Sequence, residues 1–129
     1  MRKLTILFIL LFSTVMFSSP SYAEWTKVGT SVDGDALYVD FERIRKHGGY
    51  VYWWRLSDYL KPNSLGDLSV KVYQQGDCKL FRYKSLSYSW HKEPMGGGTG
   101  LIDNRPDKEW GYPPPKSTSE FLLKSVCSR

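Results

Sequence analysis

The stretch that decides the fold is Tyr50-Val51-Tyr52-Trp53-Trp54-Arg55-Leu56-Ser57-Asp58-Tyr59, the densest aromatic run in the chain. Aromatic and β-branched side chains pack well on a pleated surface, so this run predicts a β-strand. Alternate residues of a strand point to opposite faces. We expect the face from Tyr50 to Leu56 to point into the core and the face from Val51 to Tyr59 to be partly wet. A strand with large rings on both faces is predicted to be central.

Residues 1–23 have the three parts of a secretory signal peptide. Arg2 and Lys3 are positive, residues 4–17 are almost all apolar, and Ser21-Tyr22-Ala23 places small residues at the two positions read at cleavage. The apolar run is shorter than the ~20 residues that span a bilayer, so no transmembrane segment is expected. The predicted organisation is a signal peptide at 1–23 and a domain at 24–129.

The composition of the mature chain indicates one small domain with one core, because 106 residues cannot divide into two stable cores. It holds 16 Lys and Arg against 13 Asp and Glu, a mild positive excess. Such an excess favours acidic surfaces and polyanions weakly. It does not indicate a nucleic-acid binder.

Cys78 and Cys127 are the two cysteines of the chain. An even count in an exported protein predicts a disulfide. A redox pair or a zinc site would need a CxxC spacing or nearby ligands, which are missing from the sequence. Closing a loop of about 50 residues stabilises a fold by roughly 4 kcal/mol. The pair is therefore predicted to be structural.

Alternating patterns predict further strands around the aromatic one. Residues 25–32 and 36–40 form a hairpin with Asp33-Gly34 at its turn. Residues 68–75 and 78–90 predict two more strands, and the glycine-rich stretch 91–105 predicts a mobile loop that is a candidate contact surface.

Two helices are predicted from their capping residues. Asp40 is placed to cap a short helix over residues 41–46, which the glycines after His47 would end. Ser117-Thr118-Ser119-Glu120 is a capping box that begins a helix reaching Cys127. The disulfide would then tie the last helix to the start of the 78–90 strand.

Basic and aromatic residues supply the candidate partner-binding sites. The first basic group is Arg43, Arg45 and Lys46, and the second is Lys79, Arg82 and Lys84. Trp53 and Trp90 are candidate stacking surfaces. Basic strands with interleaved aromatic rings can form stacking platforms. The alternatives are a solvated helix end for the first group and, for the second, an edge strand whose lysines discourage aggregation.

No catalytic or cofactor-binding constellation is visible in the sequence. His47 and His91 lie in polar or glycine-rich surroundings, outside any triad or metal-ligand spacing. The glycine run 96–100 lacks the Lys-Ser or Lys-Thr and the following helix of a phosphate cradle. We therefore expect a protein that is not an enzyme and has no cofactor and no metal.

A set of residues spread over the mature chain resembles a known family: Trp25 and Val28; Tyr38-Val39-Asp40 and Ile44; Gly49 and Val51; Trp54-Arg55-Leu56-Ser57-Asp58-Tyr59; Ser69 and Lys71; Asp77-Cys78; Met95-Gly96 and Gly98; Trp110; Val126-Cys127. With them the chain resembles the surface-adhesin E family of small exported bacterial proteins. The resemblance implies an α+β domain built on an antiparallel sheet. Together with the patterns above, the expectation is a single domain with about five to six strands, a short helix after the first hairpin, a C-terminal helix and one disulfide.

The same resemblance implies a non-enzymatic binding protein that contacts host extracellular-matrix proteins such as vitronectin and laminin, or other polyanionic partners, and forms a homodimer. A cell-surface member of the family is displayed through a lipid anchor, and this sequence has no cysteine directly after its apolar run. We therefore expect a periplasmic or secreted protein, with the cell surface as an alternative. An alternative function is a periplasmic envelope protein that binds a glycan or small ligand through exposed aromatic rings.

Overall fold

The computed structural model describes residues 23–129, so the predicted signal peptide lies outside the described residues except for Ala23. The described residues form one antiparallel sheet of seven strands and one α-helix. The elements are β1 (Thr26–Thr30), β2 (Ala36–Val39), β3 (Arg45–His47), β4 (Tyr50–Asp58), β5 (Ser69–Asp77), β6 (Arg82–His91), β7 (Leu101–Asp103) and α1 (Thr118–Cys127). The sheet order is β1-β2-β4-β5-β6-β7. β2 and β3 lie along the same edge of β4: β3 pairs with the first residues of β4 and β2 pairs with the last residues of β4.

The expected α+β fold with five to six strands and a short helix after the first hairpin is wrong, because the fold is mostly a seven-stranded sheet with one helix. Asp40 does cap the chain, its carboxylate accepting from Glu42 N at 3.2 Å, but only the single 3-10 turn Phe41–Arg43 follows. Gly48 and Gly49 then take positive φ angles of 60° and 84°. Positive φ at both central residues makes a tight hairpin turn, so the basic segment returns along β4 as strand β3.

The core lies between α1 and one face of the sheet. Its buried members are Leu37, Val39, Val51 and Trp53 from the sheet and Leu122, Leu123 and Val126 from α1. The core face expected for β4 is therefore wrong: Trp53 is 0% exposed, whereas Tyr52 and Trp54 on the opposite face are partly exposed. Gly76 explains why the large ring fits on the helix side, because a Cβ at Gly76 would lie 2.7 Å from the Trp53 ring.

The predicted disulfide is confirmed and joins the end of α1 to the sheet. Cys78 and Cys127 are bonded across 49 residues of sequence, with their Cα atoms 5.7 Å apart. The helix begins as predicted, because Ser117 Oγ accepts from Glu120 N at 3.1 Å. The prediction that Cys78 opens a strand is wrong, since residues 78–81 form the turn between β5 and β6.

A β-bulge in β6 changes which side chains share a face. Tyr73 pairs with Ser87 and Gln74 pairs with Ser85, so Leu86 is an extra residue between them. Simple alternation would put all even-numbered side chains of β6 on one face. The extra residue instead sends Lys84 and Trp90 to opposite faces.

Candidate binding face

The sheet face opposite α1, called the open face, carries a row of long polar and aromatic side chains. Arg45 pairs with Tyr52, Tyr52 with Gln75, and Gln75 with Lys84. Residues that are directly opposite on neighbouring strands point to the same side of a sheet. The row therefore brings together Arg45 and Lys84, which belong to the two separate basic groups of the sequence. Gln75 Nε2 donates to the Tyr52 hydroxyl at 3.1 Å, which fixes the middle of the row.

Next to this row lies a cluster of aromatic rings. Tyr73 is 6.1 Å from Tyr52 and 4.9 Å from Trp54, measured between ring centroids. Trp54 and Tyr73 also line a depression of about 590 Å³ together with Trp25 and Lys71. A concave surface with rings and a few polar groups is the common form of a ligand site.

Trp110 lies beside Lys84, at the end of the row opposite Arg45. Its ring stacks on Tyr50 with centroids 5.7 Å apart, and the cations of Arg82 and Lys84 lie 4.4 and 4.7 Å from its centroid. Gly111 holds this segment against β6 through two hydrogen bonds with Tyr83, at 2.9 and 2.7 Å. Cation–π contacts of this kind orient basic side chains without neutralising them.

The basic side chains of the open face differ in how far their charge is compensated. Arg82 Nε donates to Asp77 at 3.0 Å, so its charge has a carboxylate partner. Arg45 and Lys84 form no ion pair with any carboxylate of residues 23–129. Arg45 and Lys84 are therefore the two charges of this row that a partner can use; Lys71, in the neighbouring depression, also forms no ion pair within residues 23–129.

Asp77 is held ionised by hydrogen bonds. The Leu80 N–H, and then Arg82, lower the pKa of Asp77 below its usual range. A carboxyl whose pKa falls on folding stabilises the fold above its unfolded pKa, about 3.9, and this contribution is lost as the pH falls through the lower folded value. We expect Asp77→Asn to be less stable than wild type at pH 7, with the gap between their urea midpoints shrinking below about pH 4. A gap that stays constant to pH 2 would contradict this assignment.

The other predicted basic residues lie elsewhere. Arg43 forms an ion pair with Asp40 at 3.4 Å, and Lys79 is exposed in the 78–81 turn. Lys46 shares the helix face with Val51, and its Nζ donates to the carbonyl of Arg129 after α1. Lys46 therefore has a structural partner, whereas Lys79 remains open to solvent.

Neither predicted tryptophan lies on the open face. Trp53 is 0% exposed in the core, so its ring cannot be a stacking surface. Trp90 is on the helix side because of the bulge, where it stacks on Tyr88 at 5.9 Å and lines a groove of about 600 Å³ with the exposed Leu101. The sequence analysis did not propose four aromatic residues of the open face as binding residues: Tyr52, Trp54, Tyr73 and Trp110. The double aromatic alternation of β4 was the signal for two of them.

The glycine-rich loop is fastened to the sheet. Met95 N donates to Asp58 at 2.8 Å and Gly96 N donates to Ser69 Oγ at 2.8 Å. The buried His91 hydrogen-bonds Gly97 O at 3.1 Å through its Nδ1. These contacts connect the loop to β4, β5 and β6, while the mobility expected from its composition stays a prediction.

Two features are absent from the described part of the chain. Residues 23–129 contain no group of three or more His, Cys, Asp or Glu side chains that could hold a metal ion. Within the same residues, no helix is long and apolar enough to cross a membrane.

These observations define a class: a small domain in which one helix, tied by a disulfide, covers one face of an antiparallel sheet, while the aromatic and basic part of the other face stays at least partly exposed. The chain belongs to the surface-adhesin protein E family, whose model matches residues 25–128. No curated protein sequence matches the chain.

Solved structures with the same fold come from Haemophilus influenzae. Crystal form II of its protein E is 16% identical, with a TM-score of 0.62 over 86% of this chain and 92% of that chain. Protein E from non-typeable Haemophilus influenzae is 15% identical, with a TM-score of 0.61 over 86% of this chain and 80% of that chain. At this identity the likeness concerns the fold.

Proposed function

We propose that the mature chain is an exported, non-enzymatic binding protein of the surface-adhesin type that contacts a polyanionic partner, such as a host extracellular-matrix protein, through its open face. One observation carries the proposal: Arg45 and Lys84 lie in one row on either side of Tyr52, and neither has a carboxylate partner in residues 23–129. Membership of the surface-adhesin protein E family supports the same function.

The geometry of the row suits an extended acidic chain. Three strand spacings of ~4.8 Å place the Cα atoms of Arg45 and Lys84 roughly 14 Å apart. Two cations at this distance can contact separate acidic groups of one extended polyanion, and charge complementarity raises both the rate and the selectivity of association. Tyr52 and Trp110 supply flat apolar area between and beside the charges.

Charge reversal tests this site. We expect the Arg45→Glu and Lys84→Glu double variant to bind immobilised heparin, vitronectin and laminin at least about tenfold more weakly, because two attractive contacts become repulsive. Binding is measured by surface plasmon resonance at two salt concentrations.

The matched control changes the same net charge away from the open face. Lys61→Glu with Lys116→Glu reverses two exposed cations in the loop after β4 and in the segment before α1. The control is expected to bind within about twofold of wild type. Equal losses in both variants would show a general charge effect and would remove the open face as the site.

A second candidate function is glycan binding through the aromatic cluster, favoured by the depression that Trp25, Trp54 and Tyr73 line. A glycan reader should change its tryptophan fluorescence when titrated with cell-wall fragments, and Trp54→Ala should remove the response. A response that Arg45→Glu removes and Trp54→Ala leaves intact would favour the polyanion over the glycan.

Localisation and assembly belong to the same proposal. We expect the mature chain in the periplasm, in the culture medium or on the cell surface, and fractionation with an antibody to the domain distinguishes these. Matrix binding requires one of the last two locations. The homodimer stays a prediction that sedimentation equilibrium of the mature chain tests.

A further inference from the structure

Arg55 is a cation on the apolar side of the sheet. It lies in β4 next but one to Trp53, on the face that α1 covers, and it pairs with Val39 on β2 and Val72 on β5. Both valines are 0% exposed. Arg55 as a whole is half-buried, but its Nε is shielded from solvent. A cation in such surroundings destabilises the fold unless hydrogen bonds and an opposite charge compensate it.

No carboxylate of residues 23–129 provides that charge. The ion pairs of the described chain are Asp40–Arg43, Asp67–Lys92, Asp77–Arg82, Asp103–Arg105 and Glu120–Lys124. The titratable groups that face Arg55 are the hydroxyls of Tyr59, Tyr83 and Tyr88. Burial lowers the pKa of Arg55 and raises the pKa of Tyr59 and Tyr88, so these tyrosines are neutral at pH 7. The charge of Arg55 therefore stays uncompensated by protein groups.

Two buried N–H groups on this face also have no acceptor. Arg55 Nε and Trp53 Nε1 are both shielded from solvent and donate to no protein atom. Buried donors are almost always paired, and an unpaired one costs roughly 1–3 kcal/mol. Two such donors on neighbouring side chains indicate an acceptor that is not part of the protein.

A small cavity lies beside both residues. Its volume is about 30 Å³, and its lining combines three leucines with five residues that carry polar groups: Leu37, Leu122 and Leu123; Trp53, Arg55, Gln74, Tyr83 and Ser119. Ser119 is in the first turn of α1, where the helix dipole is positive. A cavity of this volume holds one or two water-sized groups, which favours a small ion over sulfate or an organic acid. The electrostatic surroundings therefore favour an acceptor that is both small and negative.

We propose that Arg55, Trp53 and the first turn of α1 form a binding site for one small monovalent anion of chloride size. A water molecule could accept from both N–H groups, but it would leave the guanidinium charge uncompensated. A halide accepts the same hydrogen bonds and supplies the missing charge. Such a site would stabilise the contact between α1 and the sheet, independently of the function of the open face.

Crystals of the mature protein grown in sodium bromide test the site directly. We expect an anomalous bromide peak within hydrogen-bonding distance, roughly 3.5 Å, of both Arg55 Nε and Trp53 Nε1. Bromide peaks found only at surface positions, or a water with no anomalous signal in the cavity, would overturn the proposal.

Urea unfolding at constant ionic strength tests the site in solution. When sodium chloride replaces sodium gluconate, each tenfold rise in chloride above the dissociation constant should raise the folded-to-unfolded ratio of wild type up to tenfold, as one site requires. Arg55→Met should fold, because apolar replacements of buried charges are tolerated, and should lose this dependence. The control Arg105→Met changes an arginine whose side chain is 89% exposed and should keep it. Equal chloride dependence in all three proteins would refute the site.

Discussion

Replacing Cys78 and Cys127 together by serine is expected to lower the free energy of unfolding by roughly 4 kcal/mol. The bond spans 49 residues that include β6, β7 and the whole of α1. Without it the unfolded chain gains the conformational entropy of an open loop of that length, while the folded state keeps the same contacts. Because small domains are stable by only ~5–15 kcal/mol, the variant should be markedly easier to unfold. Urea denaturation of the mature chain at pH 7 measures the difference.

Reduction of wild type provides an independent control for the same bond. Wild type in dithiothreitol should unfold at the urea midpoint of the serine double variant, and the double variant should not respond to dithiothreitol. Coincident midpoints for oxidised wild type and the double variant would show that the bond does not stabilise the domain. A single Cys127→Ser variant is less informative because it leaves a reactive thiol at Cys78.

The parts of this fold that sequence reasoning predicted depend on local chemistry. The capping residues Asp40 and Ser117 accept the expected hydrogen bonds, and the two cysteines pair. The length of the segment after Asp40 could not be predicted in the same way. The turn of Gly48 and Gly49 can end a helix or reverse a strand, and the choice depends on pairing with β4, a contact between strands.

The candidate binding face was predictable only in part, because the strand register determines which side chains share a face of the sheet. Arg45 and Lys84 were both identified as basic candidates, yet their shared row follows from two strand pairings. The extra residue Leu86 separates Lys84 from Trp90, and a bulge of this kind has no clear residue signature. Alternation in β4 correctly separates the even from the odd positions. It does not say which set the helix will cover, because both sets carry large rings.

The two adjacent tryptophans of β4 provide the second large prediction. We expect Trp53→Ala to lower the free energy of unfolding by about 3–5 kcal/mol, because the ring is 0% exposed in the core and its removal leaves a cavity. The matched control Trp54→Ala removes the same ring from the partly exposed face and should cost clearly less. Urea or thermal unfolding of both variants measures the ratio. The opposite order would mean that the covered face of β4 has been assigned incorrectly.

Gly76 makes the assignment of the covered face testable by a double-mutant cycle. A Cβ at Gly76 would lie 2.7 Å from the Trp53 ring and 3.0 Å from Val51, so Gly76→Ala should cost about 1–3 kcal/mol in wild type. In the Trp53→Ala background the same methyl group enters the space that the ring has left. There Gly76→Ala should be neutral or stabilising, because alanine also restricts the unfolded chain by about 0.4–1 kcal/mol. The coupling free energy between the two sites should therefore be at least about 1 kcal/mol, whereas strictly additive effects would mean that the ring does not pack over Gly76.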